Sequence, residues 1–103
     1  SKGKYLVVEN EKKVIACLLT TYEWSDWRNG TIIWIQSLYV EKEHRKKGVF
    51  KMMYNHIKNM VENEESLKGI RLYVDNSNEI AAKVYKSLGM NSQHYSLFEW
   101  MKE

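Results

Sequence analysis

The stretch E-H-R-K-K-G-V-F-K, ending at Lys51, sets Arg45, Lys46 and Lys47 directly before a lone glycine, Gly48. An apolar run precedes it and an amphipathic one follows. At a strand-to-helix junction the first backbone N–H groups have no intrahelical acceptor, and the positive end of the helix dipole favours a negative group. A glycine there lets the backbone come close to that group. The stretch reads as a cradle for a phosphate-like anion, and equally as a basic helix start facing solvent. Neither G-x-G-x-x-G nor G-x-x-x-x-G-K-[ST] occurs, so a dinucleotide fold and a P-loop are unsupported. His44, His56 and His94 show no metal-ligand spacing, and no Ser or Cys is set in a nucleophile motif. Cys17, the single cysteine, lies in V-I-A-C-L-L and reads as a small buried hydrophobe that can form no intrachain disulfide.

The elements that must position this stretch follow from apolar periodicity. Y-L-V-V-E (5–9) and K-V-I-A-C-L-L-T-T-Y (13–22) are β-branched runs joined by N-E-K, a hairpin pattern. Asn29-Gly30 is a turn signal, and T-I-I-W-I-Q-S-L-Y-V (31–40) follows as a nearly apolar strand. Apolar or amphipathic residues at 49, 52, 53, 56, 57, 60 and 61 have helical spacing and predict a helix over 44–64. I-R-L-Y-V-D (70–75) reads as a fourth strand and 77–88 as a second helix, with an Asn76–Glu79 capping pattern and Gly89 as its stop. Y-S-L-F-E-W-M (95–101) reads as a closing strand. A helix crossing between strands 31–40 and 70–75 requires those two to be parallel.

The chain of 103 residues suits one domain, residues 1–103, with a modest core. At 44% hydrophobic, with seven Tyr and four Trp, it has enough apolar surface to fold. A net charge of +3 favours anionic partners without separating a phosphate-bearing cofactor from nucleic acid or membrane. No leader pattern or membrane-length apolar run is present, so a cytoplasmic location is expected and a membrane partner is not.

L-Y-V-E-K-E-H-R-K-K-G-V-F resembles the acyl-coenzyme-A signature R/Q-x-x-G-x-G/A of the GNAT superfamily of N-acetyltransferases, with Arg45, Gly48 and Phe50 at its marked positions. N-E-I-A-A-K-V-Y-K-S-L-G-M resembles that superfamily's downstream N-x-x-A-x-x-x-Y-x-x-x-G-F pattern through Asn78, Ala81, Tyr85 and Gly89. The resemblance runs from about Tyr5 to the C-terminus, and T-Y-E-W-S-D-W-R-N-G-T-I-I-W-I-Q-S-L-Y-V is similar to a bacterial subgroup of uncharacterised GNAT proteins. It implies an α/β (α+β) GNAT-like acyl-CoA N-acyltransferase fold: a mixed, mostly antiparallel sheet flanked by helices, N-terminally truncated by the first strand and first two helices. The acceptor pocket would then be completed by a longer chain or by a partner chain such as a second copy. Phe50 departs from the signature's Gly or Ala.

The resemblance also implies roles. Backbone N–H groups across Arg45, Lys46, Lys47, Gly48, Val49, Phe50 and Lys51 would hold the pyrophosphate of acetyl-CoA, and the backbone of Leu38, Tyr39 and Val40 would pair with its pantetheine arm. Asn78 would touch the coenzyme, or serve only as a helix cap. Tyr85 would protonate the departing thiolate, a phenol of pKa about 10 still carrying its proton at neutral pH, or pack on the apolar helix face with Ala81, Val84 and Leu88. The acceptor amine must lose a proton. Glu23 is the candidate base, while Gln36 stands where relatives carry a carboxylate and could orient a water or the acceptor. Glu41 and Glu43 read as solvated loop charges. Trp24, Trp27 and Trp34 would line an acceptor pocket or pack in the core. The expected activity is acetyl transfer from acetyl-CoA to an amine of a small molecule or peptide. The alternative is a non-catalytic module binding acyl-CoA or nucleic acid.

Overall fold

A computed structural model describes residues 3–102, in two compact units that divide at Tyr73 and Val74. The first unit is a four-stranded sheet carrying one long helix: β1 (Lys4–Asn10), β2 (Lys13–Ser25), β3 (Gly30–Val40), α1 (Val49–Asn63) and β4 (Leu67–Leu72). The strands lie in sequence order. β1–β2 and β2–β3 are antiparallel, and β3–β4 is parallel, as the crossover through α1 demands.

The β1–β2 turn is tight because Glu11 and Lys12 both adopt positive φ, at 51° and 66°. That conformation matches the right-handed twist of the flanking strands. Asn29, at φ 49°, makes the corresponding left-handed turn into β3. In the sheet, Thr20 sits opposite Ile35 and Tyr22 opposite Ile33, so these four share one face. A groove of about 200 Å³ lined by Thr20, Tyr22, Ile33, His56, Ile57 and Met60 among others shows that α1 lies over this face. Leu18, Ile33, Met53 and Ile57 are almost wholly buried, each worth about 1.5–3 kcal/mol relative to an exposed side chain.

Three boundaries differ from the sequence expectation. The helix begins at Val49, not at 44, because Lys46 (φ 63°) and Gly48 (φ 80°) are left-handed and break the spiral; residues Lys42–His44 form only a 3-10 turn. Within α1 the buried positions are Met53, Tyr54 and Ile57, while Met52 is half exposed. Tyr54 escaped the count of apolar spacing although its ring is as good a core filler as methionine. β4 spans 67–72, not 70–75, since pairing with β3 runs from Thr31↔Leu67 to Ile35↔Leu72.

The second unit, from Val74, contains α2 (Glu79–Ser87). Its cap is Asn78, whose side-chain oxygen accepts from the Ala81 N–H at 3.1 Å; the expected cap, Asn76, is not used. Asp75 instead orders the approach by accepting from the Ser77 N–H at 2.8 Å and from its hydroxyl at 2.5 Å. Gly89, at φ 93°, ends the helix, with its N–H on Lys86 O and the Met90 N–H on Tyr85 O. The expected strand over 95–101 does not form. Phe98 and Trp100 are almost fully exposed, and an alternating pattern makes a strand only where a ladder receives its backbone.

Candidate active site

β3 carries two structurally different halves. Up to Ile35 it is paired on both sides, by β2 and by β4. Beyond Ile35 the β4 ladder stops. A bulge also falls here, because Leu19 pairs with Ser37 whereas Thr20 pairs with Ile35, leaving Gln36 as the extra residue. The Glu41 N–H donates to Ile15 O at 2.7 Å. Alternation in an antiparallel ladder therefore turns the N–H and C=O of Leu38 and Val40 away from β2, along the edge that β4 has left. Arg45 confirms the direction: its Nε donates to Val40 O at 2.8 Å, with the guanidinium 5.9 Å from the Tyr39 ring centre. Its side chain thus secures the strand end, and the stretch's lysines, Lys46, Lys47 and Lys51, are exposed.

This edge leads into the start of α1. The first intrahelical bond runs from the Met52 N–H to Gly48 O, so the Val49 and Lys51 N–H groups precede the ladder. Gly48 caps the helix with no side-chain hydrogen bond, and the first turn holds no acidic residue. A Cβ built on Gly48 would meet nothing within 4 Å, which marks open space at the helix end. Glycine is required here by its φ of 80° rather than by crowding. The Phe50 ring lies 6.1 Å from that of Tyr54 on its own helix, so the departure from a glycine-lined signature packs along α1.

The sheet face opposite α1 holds the sequence's other candidates. Glu23 Oε1 accepts from Trp34 Nε1 at 2.8 Å and from the Arg71 guanidinium at 3.1 Å. Trp34 packs against Tyr73, ring centres 4.8 Å apart. Gln36 Nε2 donates to Thr21 Oγ1 at 2.9 Å on the same face. Glu23, Trp34 and Gln36 are thereby brought together, along with Arg71 and Tyr73, which sequence reasoning passed over. The signal existed in I-R-L-Y-V: alternation puts Arg71 and Tyr73 on one face, and parallel pairing with β3 puts Arg71 beside Trp34. Trp24 and Trp27 are not gathered there. Trp24 Nε1 donates to Asp26 at 2.7 Å in the hairpin end, and Trp27 is 94% exposed. Glu41 forms an ion pair with Lys13 at 2.9 Å instead of standing alone in solvent, and this raises the Lys13 pKa.

In the second unit, Tyr85 is half buried with Ala81, Ala82 and Leu88, whereas Val84 is exposed. Burial raises the phenol above its ordinary value of 10.0. Asn78, as the α2 cap, has its side-chain oxygen committed to the helix.

Comparison with known proteins agrees with this architecture. The family model described as the acetyltransferase (GNAT) family matches residues 1–90, and the chain belongs to that family. A possible acetyltransferase from Clostridium difficile 630 is 47% identical over 99% of this chain, with a TM-score of 0.89; the chain spans 67% of that protein's length. The fold is shared, at 16% identity and a TM-score of 0.82, with a ribosomal-protein-alanine N-acetyltransferase from Brucella melitensis biovar Abortus 2308, covering 97% of this chain and 72% of that one. An aminoglycoside acetyltransferase from an uncultured soil metagenomic sample, in complex with sisomicin, is 15% identical with a TM-score of 0.78, covering 99% and 68%. No match is found among curated proteins. No helix among the described residues is long and apolar enough to cross a membrane.

Proposed function

We propose that this chain takes part in N-acetyl transfer from acetyl-CoA to an amine of a small molecule or peptide, by direct attack of the amine. The observation that carries this reading is the continuity of the one-sided β3 edge with a glycine-capped, acid-free helix start. Leu38 and Val40 offer peptide groups spaced to pair with the amides of a pantetheine arm, like an added strand. The Val49 and Lys51 N–H groups lie at the end of that path, with Lys46 and Lys47 nearby, suited to a pyrophosphate. An ordinary helix start carries Asp or Glu to complement its dipole; α1 has none, and an external anion would fill the role.

When bound, the coenzyme supplies a thioester whose C–S bond breaks as the amine's N–C bond forms. The bulge sets Gln36 apart from the regular ladder, and its side-chain amide, held by Thr21 on the face of Glu23, would orient a water or the acceptor. Glu23 would draw the acceptor's ammonium to the same face and start its proton toward solvent. Tyr85 is assigned proton donation to the thiolate on its motif position and chemistry, and burial favours the protonated phenol that this role needs.

The test couples calorimetry of acetyl-CoA binding to a thiol-release assay across an amine library. Expected are binding and release with at least one amine. Binding without release for any amine leaves a non-catalytic acyl-CoA module, and no binding removes the proposal.

A further inference from the structure

The cluster opposite α1 contains an arrangement that coenzyme binding does not require. Three adjacent strands each send a side chain to one point: Glu23 from β2, Trp34 from β3 and Arg71 from β4. Both donors engage the same oxygen, Oε1, and among the described residues Oε2 receives no hydrogen bond. Register makes the convergence possible, because Thr21, Trp34 and Arg71 lie in one cross-strand row and Glu23 stands two residues along β2 from Thr21. The indole is itself held, its ring 4.8 Å from Tyr73, the neighbour of Arg71 on that face.

A glutamate on a strand this exposed ordinarily samples several rotamers. Here an aromatic N–H, its indole packed against the tilted Tyr73 ring, and a guanidinium both hold Oε1 in place, so that Oε2 is the oxygen left to meet a ligand. We propose that Arg71 and Trp34 are positioning residues that clamp Glu23 by Oε1 so that Oε2 receives the ammonium of the acceptor. Arg71 also neutralises much of the carboxylate's charge, so the clamp selects by direction more than by field and suits an acceptor presenting a single ammonium over a polycation. The inference rests on Glu23 serving the acceptor side of the proposed reaction.

Two measurements on the full chain test it. The first is steady-state acetyl transfer with an alanyl peptide, a lysyl peptide and an amino sugar as acceptors. Glu23→Gln should raise the acceptor KM about tenfold with acetyl-CoA affinity unchanged, and Arg71→Met should do nearly the same. In the Glu23→Gln background Arg71→Met should add less than twofold, since Arg71 acts through Glu23, and Arg71→Lys, which keeps the charge without the planar fork, should recover only part of the loss. The second is the indole N–H resonance of Trp34, assigned with Trp34→Phe, during titration with the same amines. It should shift on titration in the wild type and respond more weakly, at higher amine concentration, in Arg71→Lys, which also serves if Arg71→Met does not fold. Additive losses, or a Trp34 resonance indifferent to every amine, overturn the clamp even if acetyl transfer proceeds. A responsive resonance without thiol release sustains the clamp as an amine site and removes the acetyl-transfer reading.

Discussion

Gly48 combines two physical demands that can be separated by choice of replacement. Its positive φ penalises any Cβ by about 1–2 kcal/mol, although no atom obstructs one. Asn and Asp both tolerate that conformation better than other residues and differ mainly in charge. Gly48→Asn and Gly48→Asp should therefore melt similarly, while calorimetry should show acetyl-CoA binding about tenfold weaker to the Asp variant. Equal affinities would move the anion elsewhere. For Tyr85, Phe retains the ring and removes the proton, so Tyr85→Phe should bind coenzyme nearly normally and lose roughly 10²-fold in turnover. Burial raises both Tyr54 and Tyr85 above 10.0. The folded state then holds these protons more tightly than the unfolded chain, so their stabilising effect is complete below pH 10 and disappears as pH rises through the raised values. Denaturant melts from pH 8 to about 11.5 should show an alkaline loss that Tyr54→Phe diminishes.

The elements divide by the kind of signal that specifies them. Alternating β-branched runs and the Asn29-Gly30 turn made β1, β2 and β3 legible, and chain crossover made the parallel β4 legible, because both depend on local pattern or topology. The start of α1 was misplaced since two left-handed residues, one of them a lysine, interrupt a sequence that composition alone would continue as helix. The 95–101 strand failed for the complementary reason: pairing is a property of two segments, and one segment's alternation cannot supply the other. The same limit hid Arg71 and Tyr73, whose meaning comes from the residue across the ladder. Asn78 was visible with both of its roles, and the cap bond decides the structural one. Asn78→Ala should cost about 1 kcal/mol of stability. If acetyl-CoA affinity of the folded variant is unchanged, capping is its whole contribution.

At the scale of the molecule the positive charge is a small excess spread through the chain, +3 in 103 residues. Binding dominated by that charge would weaken steeply with salt, as phosphate-backbone binding does. Recognition through peptide amides of β3 and α1 is local and should persist, so acetyl-CoA affinity should change less than about threefold between 50 and 200 mM salt while any duplex DNA affinity falls by an order of magnitude or more. The bulge at Gln36 also has a consequence in time. Amides of β3 before it lie between two strands and exchange with solvent only when the sheet opens, whereas those of Leu38 and Val40 are screened on one side and exchange through small local excursions. One strand thus contains its own slow reference and its own fast reporter, and a ligand that completes the sheet would register as the second half of β3 slowing toward the first.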